Sequence, residues 1–167
     1  MHKERCYIGL GSNLGEAGKH IESALLAINE VEHTRLLRTS SMYQSAPMGP
    51  QDQPDFINSV CLIETGLKPE ILLKQLQNIE NKHGRERKGE RWGPRTLDLD
   101  ILLYGKHDID TDTLTIPHYG MADREFVLVP LFEIAPNMVM PDGKPISQWV
   151  ARCSLDGLKR LRPDNQL

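Results

Sequence analysis

The stretch ERWGPRTLDLDILLYG, Glu90 to Gly105, passes from a charged segment broken by glycine and proline into an apolar run that carries two aspartates. Within it Leu97, Leu99, Ile101 and Leu103 alternate with Thr96, Asp98, Asp100 and Leu102. Successive side chains of a strand point to opposite faces, so this spacing predicts a strand with one continuous apolar face. Both aspartates share the other face, with their α-carbons roughly 6.5–7 Å apart. Carboxylates set beside a core cannot stay ionised without partners, because burying an unpaired charge costs several kcal/mol or more. Two solutions fit the spacing. One is a pair of salt bridges from Arg85, Arg87 or Arg95. The other is a divalent metal, most naturally Mg²⁺, since an all-carboxylate donor set is hard and no His/Cys cluster offers softer ligands. Neighbouring positions on one strand face can converge on two ions roughly 3.5–4 Å apart, the spacing of a two-metal phosphoryl site.

The segment before the strand is basic. From Lys82 to Arg95 there are six basic residues (Lys82, Arg85, Arg87, Lys88, Arg91, Arg95) and two acids (Glu86, Glu90), a local charge of +4 in a chain whose total is −3. An acidic body bearing one basic loop argues against a nucleic-acid or membrane binder driven by overall charge. Arginine forks match phosphate oxygens in pairs, so an arginine loop set before a carboxylate pair suits a polyphosphate substrate. Trp92 within that loop would be costly if it covered nothing, which suggests a lid.

Outward from this block the pattern is regular. CYIGLGS (6–12) reads as a buried strand, and the glycines of GLGSNLG that follow serve either as a tight strand-to-helix turn or as a phosphate-cradling loop. From Glu16 to about Glu32, Ile21, Ala24, Leu25, Ile28 and Val31 recur at helical spacing. A second strand is expected over Arg35 to Gln44, and a loop over SAPMGPQDQPD (45–55). A third strand covers Phe56 to Thr65. LKPEILLKQLQNIENKHG predicts a helix with Pro69 in its first turn, a stripe of Leu72, Leu73, Leu76 and Ile79, and Gly84 as its stop. Beyond the aspartate strand, TLTIPHY (113–119) reads as a short edge segment and DREFVLVPLFEIAP (123–136) as a helix interrupted near Pro130. The stretch from Ser147 reads as a weaker helix. Strand, helix, strand, strand, helix, strand is the order of an α+β ferredoxin-like sandwich, an antiparallel sheet with helices packed on it. At 167 residues the expectation is one domain over 1–167, with the tail from about 155 peripheral. Cys6, Cys61 and Cys153 lack CxxC spacing and read as free thiols. No apolar run reaches a membrane span or a signal-peptide core, so a cytosolic chain is expected.

Two further features stay open on the residues alone. His118 and Tyr119 in IPHY could contact a phosphate or be ordinary surface groups, and Phe56 and Phe126 could be core residues or stack on a flat heterocycle.

Taken together, YIGLGSNLG, GPQDQPDFINSV, GRERKGERWGPRTLDLDILLYG and LTIPHYGMADREFVLVPLFEIAP resemble the 6-hydroxymethyl-7,8-dihydropterin pyrophosphokinase family of folate biosynthesis, over about Tyr7 to Gly143. The resemblance implies transfer of the β,γ-diphosphate of ATP to the pterin hydroxymethyl oxygen, with two Mg²⁺ ions held by Asp98 and Asp100. It also implies a monomer. Asp98, Asp100, Arg85, Arg95 and His118 would be catalytic. ATP would meet Leu73, Gln77, Glu80, Arg85, Arg87, Trp92, Arg95, Ile101, Thr115, His118, Tyr119 and Arg124. The pterin would lie between Phe56 and Phe126, near Ser45, Ala46, Pro47, Met48, Asn58, Trp92 and Asp98. Phe56 stands where some members carry tyrosine, which removes a hydroxyl while keeping the ring. Two other readings of the residues are a Mg²⁺-dependent phosphohydrolase and a non-catalytic nucleotide or RNA binder using the basic loop.

Overall fold

A computed structural model describes residues 2–13, 16–45, 55–84 and 97–161. The elements in chain order are β1 (Glu4–Ser12), α1 (Ala17–Asn29), β2 (Thr34–Thr39), β3 (Tyr43–Ser45), β4 (Phe56–Thr65), α2 (Pro69–Lys82), β5 (Asp98–Tyr104), β6 (Ile109–Asp110) and β7 (Thr115–Ile116). After a 3-10 turn at Met121–Asp123 come α3 (Glu125–Ile134), α4 (Ile146–Ala151) and β8 (Lys159–Arg160). The main sheet runs β5-β1-β4-β3-β8, with β2 also paired to β4, and every neighbouring pair is antiparallel. This is the ferredoxin-like order, with β1 central between the strand that follows α2 and the strand that precedes it.

Each face of the sheet has its own core. On one face Cys6, Ile8 and Leu10 of β1 and Leu99 and Ile101 of β5 pack against Ile21, Ala24 and Ile28 of α1 and Leu72, Leu76 and Ile79 of α2. These are the helical stripes expected from the sequence, with Leu25, Val31 and Leu73 packed at the margin. On the other face Val60, Leu62 and Leu102 meet Leu128, Leu131 and Ile134 of α3 and Ile146 and Trp149 of α4. A second helical layer thus covers the face on which the aspartates lie, stopping short of them.

Three expectations need correction. The strand foreseen over Arg35 to Gln44 is two strands, β2 and β3. Between them the Ser40 hydroxyl accepts the Val60 N–H at 2.9 Å, and the Glu133 carboxylate of α3 accepts the Ser41 N–H at 3.0 Å. The Ser40 N–H still donates to the Val60 carbonyl at 2.8 Å, but side-chain oxygens take the other two N–H groups and the strand breaks. The alternation in β5 also slips. Ile8 pairs with Ile101 but Tyr7 pairs with Leu103, so one extra residue sits in β5. This bulge turns Leu103 towards the α3 side and Tyr104 towards α1 and α2, whereas strict alternation put Leu103 with Leu99. Finally, α3 is not interrupted at Pro130. Proline removes the single bond that would reach the Phe126 carbonyl. Leu128, Leu131 and Ile134, buried on either side of it, hold the helix straight through. Arg38 donates to the Ile134 carbonyl at 2.8 Å, satisfying one of the last acceptors of that helix.

The tail contributes β8, whose two residues pair with Tyr43 and Gln44 of β3 at the sheet edge. No helix among the described residues is long and apolar enough to cross a membrane. All three cysteines are free. Burial pushes the Cys6 and Cys61 thiols up to about 12, while Cys153 is only partly covered. Partial burial, with Glu125 and Asp123 nearby, raises the Cys153 thiol too, so at pH 8 a native chain should react slowly with an aromatic disulfide reagent at Cys153 alone, and at all three thiols after denaturation. Rapid modification of Cys61 in the native protein would contradict the core packing.

Candidate active site

The site is a row of residues that crosses four strands on the α3 face. Tyr43 of β3 pairs with Asn58 of β4, Asn58 with Gly11 of β1, and Gly11 with Asp98 of β5. In the next row Val60, Gly9 and Asp100 stand side by side. At these two rows the glycines leave β1 without side chains on this face, whereas Tyr7 further along packs into the α3-side core, so the strand is a bare floor between Asn58 and the aspartates. From the Asn58 backbone to that of Asp98 is two strand steps, about 10 Å. Ser45 and Phe56, paired with each other, border the row at its outer end, and the Asn58 amide points a donor at the Ser45 hydroxyl, 3.5 Å away.

Asp100 is 39% exposed, half in and half out of the sheet surface. The His118 Nε2 lies 3.9 Å from its Oδ1. The backbone brings them together: the His118 N–H donates to the Leu102 carbonyl at 3.0 Å, joining the turn after β7 to β5. The Gly120 N–H donates to Nδ1 at 3.2 Å, so Nδ1 is the acceptor and the proton sits on Nε2, facing Asp100. Burial, with the Arg124 guanidinium nearby, lowers the His118 pKa, against an opposing pull from Asp98. A neutral imidazole that donates from Nε2 is the form this site favours. Gly120 makes room for Arg124, since a β-carbon there would stand 2.8 Å from the guanidinium Nε. Tyr119 stacks on His118 with centroids 4.9 Å apart and is 80% exposed, an aromatic face left to solvent.

Glu80, on α2, is 3% exposed, and its carboxylate accepts the Leu99 N–H at 2.7 Å. Among the described residues β5 is the sheet edge and this N–H has no strand partner, so Glu80 fixes the backbone between the two aspartates. Of the other nucleotide residues foreseen, Leu73 is partly buried on α2 with Gln77 exposed beside it, Ile101 is in the core, and Thr115 is exposed on β7. Phe126 is partly buried in the first turn of α3, with the Arg124 guanidinium 6.0 Å from its ring centre. Ala46, Pro47, Met48, Arg85, Arg87, Trp92 and Arg95 lie outside the described residues.

As a test of metal chemistry, the described residues hold no cluster of three or more His, Cys, Asp or Glu of metal-binding shape. Two adjacent carboxylates open to solvent do not form a closed cage, but they fit Mg²⁺, which keeps several waters and takes substrate phosphates as ligands. The glycine floor and the Glu80 bond were missed by sequence reasoning. The first had a signal, two glycines at alternate positions of one predicted strand.

Residues 7–136 match the family 7,8-dihydro-6-hydroxymethylpterin-pyrophosphokinase (HPPK). The chain belongs to this family. It is 52% identical over 157 residues to the 2-amino-4-hydroxy-6-hydroxymethyldihydropteridine pyrophosphokinase of Haemophilus influenzae, covering 94% of this chain and 98% of the relative. To the enzyme of the same name from Pseudomonas aeruginosa it is 48% identical, covering 95% and 97%. Among solved structures it resembles an HPPK-DHPS in complex with substrates, with a TM-score of 0.69 at 12% identity over 91% of this chain. It likewise resembles the Plasmodium falciparum HPPK-DHPS wild type with pteroate, with a TM-score of 0.71 at 14% over 90%. At that identity the likeness speaks for the HPPK fold alone. This chain spans only 43% and 42% of those longer chains.

Proposed function

We propose that this chain transfers the β,γ-diphosphate of ATP to the hydroxymethyl oxygen of 6-hydroxymethyl-7,8-dihydropterin, forming the pterin diphosphate and AMP for folate biosynthesis. The observation that carries the reading is the row from Asn58 across Gly11 to Asp98, within a chain of this family. It offers a flat bicycle a bare floor, an amide at one end to read its edge, and at the other the aspartates beside which its hydroxymethyl arm would react. Partly buried Phe56 and Phe126 supply rings for stacking.

In the transfer, the hydroxymethyl oxygen bonds to the β-phosphorus, the bond from that phosphorus to the oxygen bridging to the α-phosphate breaks, and AMP leaves with that oxygen. The hydroxyl proton passes to solvent. Asp98 and Asp100 would hold two Mg²⁺ ions, which when bound neutralise the triphosphate and offset the charge that develops on its oxygens. The chain's own work is positioning. His118 presents its Nε2–H, and Arg124 its guanidinium, where phosphate oxygens need donors. By the family resemblance Leu73, Gln77, Glu80, Ile101 and Thr115 would line the nucleotide pocket. The family resemblance adds Arg85, Arg87 and Arg95 as phosphate contacts and Trp92 as part of a covering loop.

The test is AMP release from ATP and Mg²⁺ at fixed ionic strength, with and without 6-hydroxymethyl-7,8-dihydropterin. Pterin-dependent AMP that disappears on chelation is expected. AMP formed equally without pterin would replace this reading with a phosphohydrolase, and ADP as product would exclude diphosphate transfer.

A further inference from the structure

Gly11 occupies an ordinary strand position. It is not among the glycines with positive φ, which among the described residues are Gly84, Gly105, Gly143 and Gly157, so nothing in its backbone demands glycine. Glycine is also a poor strand residue, and in the interior of a strand it often marks a place where another group approaches closely. The neighbouring group here is a side chain. A β-carbon on Gly11 would stand 2.8 Å from the Asn58 Oδ1, closer than such atoms come. The backbone atom that comes next, the Ile57 carbonyl oxygen, is at an ordinary 4.0 Å. The conflict is therefore with the end of one side chain and with nothing the fold is built on.

Asn58 is 8% exposed, with its Nδ2 directed at the Ser45 hydroxyl and its Oδ1 extended over the vacant side of Gly11. Gly9 is different, because its β-carbon would meet only the methyl groups of Leu102, the nearest at 3.4 Å. Of the two floor glycines, Gly11 alone controls a polar group.

Building on the functional reading above, we infer that Gly11 is a specificity-determining residue for the pterin. Its missing side chain lets Asn58 lie flat across β1, and this pose fixes where the edge of the heterocycle is read relative to Asp98. Alanine at this position turns the amide out of line while leaving the strand intact, since alanine suits a strand at least as well as glycine does. The residue thus acts through Asn58 as a positioning residue, and stability and pterin recognition respond to it in opposite directions.

The experiment uses the full-length protein and four versions of it: wild type, Gly11→Ala, Asn58→Ala and the double variant. Calorimetric binding of 6-hydroxymethyl-7,8-dihydropterin is measured in the presence of a non-hydrolysable ATP analogue and Mg²⁺, and thermal melting on the free proteins. Expected are a melting temperature for Gly11→Ala equal to or above wild type, pterin affinity at least tenfold weaker, and affinity for the ATP analogue alone unchanged. In the Asn58→Ala background the glycine substitution should cost less than twofold, because its target is gone. Wild-type pterin affinity in Gly11→Ala would overturn the inference. So would a full tenfold loss that persists without Asn58, or a lowered melting temperature, which would place the cost in the fold. Absence of pterin binding in the wild-type chain would instead overturn the functional reading itself, and this inference with it.

Discussion

Asp100→Ala lowers pterin-dependent AMP formation by about 100- to 1,000-fold, comparable with the loss of a group that stabilises transition-state charge. In barrier terms this is about 3–4 kcal/mol. The fold should survive. Asp100 is 39% exposed at the margin of the second core, so its removal opens no cavity, and the melting temperature should stay within a few degrees. Asp98 lies on the same strand face, two residues away, and retains a weak foothold for the cation. The residual rate of the variant should therefore need much higher Mg²⁺ to saturate, with pterin affinity little altered. Turnover and Mg²⁺ titrations measure both effects. An unchanged rate at unchanged Mg²⁺ would remove Asp100 from the chemistry.

The second large effect is expected at Glu80. The residue is 3% exposed, and its carboxylate holds the Leu99 N–H at 2.7 Å. Replacement by alanine strands a backbone donor, which costs about 1–3 kcal/mol when no other acceptor is available. It also leaves a void beside Leu76 and Ile79, residues of the first core. Beyond this loss of stability, the peptide between the two aspartates is no longer pinned. Glu80→Ala should cut turnover at least tenfold and raise the Mg²⁺ requirement. Glu80→Gln, which keeps an acceptor oxygen of the same reach, should restore most of both. If alanine and glutamine were equally damaging, and damaged only ATP affinity, Glu80 would be a nucleotide ligand instead of a support for β5. Steady-state kinetics over a Mg²⁺ series, alongside melting curves, separates the two outcomes.

Much of this could be read from the chain because the informative residues sit in regular elements. The alternation through Asp98 and Asp100 is a local property of one strand, and it placed both on a single face as found. The stripes of α1 and α2 are likewise local, as are the stops at Pro69 and Gly84. What escaped depended on groups distant in sequence. The split between β2 and β3 rests on Glu133, 92 residues from Ser41. Slippage after Ile101 arises from pairing with β1, and the continuity of α3 through Pro130 arises from the core beneath it. At the site, Asn58 and Gly11 are separated by 46 intervening residues and meet only because β1 and β4 pair in one particular register. A glycine's role there is spatial, and a sequence alone cannot say which side chain fills the space. The family resemblance names residues expected to meet substrates, Glu80 among them, but it does not show the support that Glu80 gives to β5 or the room that Gly11 gives to Asn58.

The strand with the aspartates lies at the border of the sheet, where unpaired N–H and C=O groups ordinarily invite a strand from another molecule. Here the Leu99 N–H is taken by Glu80 and the Leu102 carbonyl by the His118 N–H. The far border ends in the two charged, exposed residues Lys159 and Arg160 of β8. Among the described residues, the bonds that order the proposed reaction centre therefore also occupy edge groups that would otherwise be open to intermolecular strand addition. Damage to them should appear as turbidity in concentrated solution as well as lost turnover.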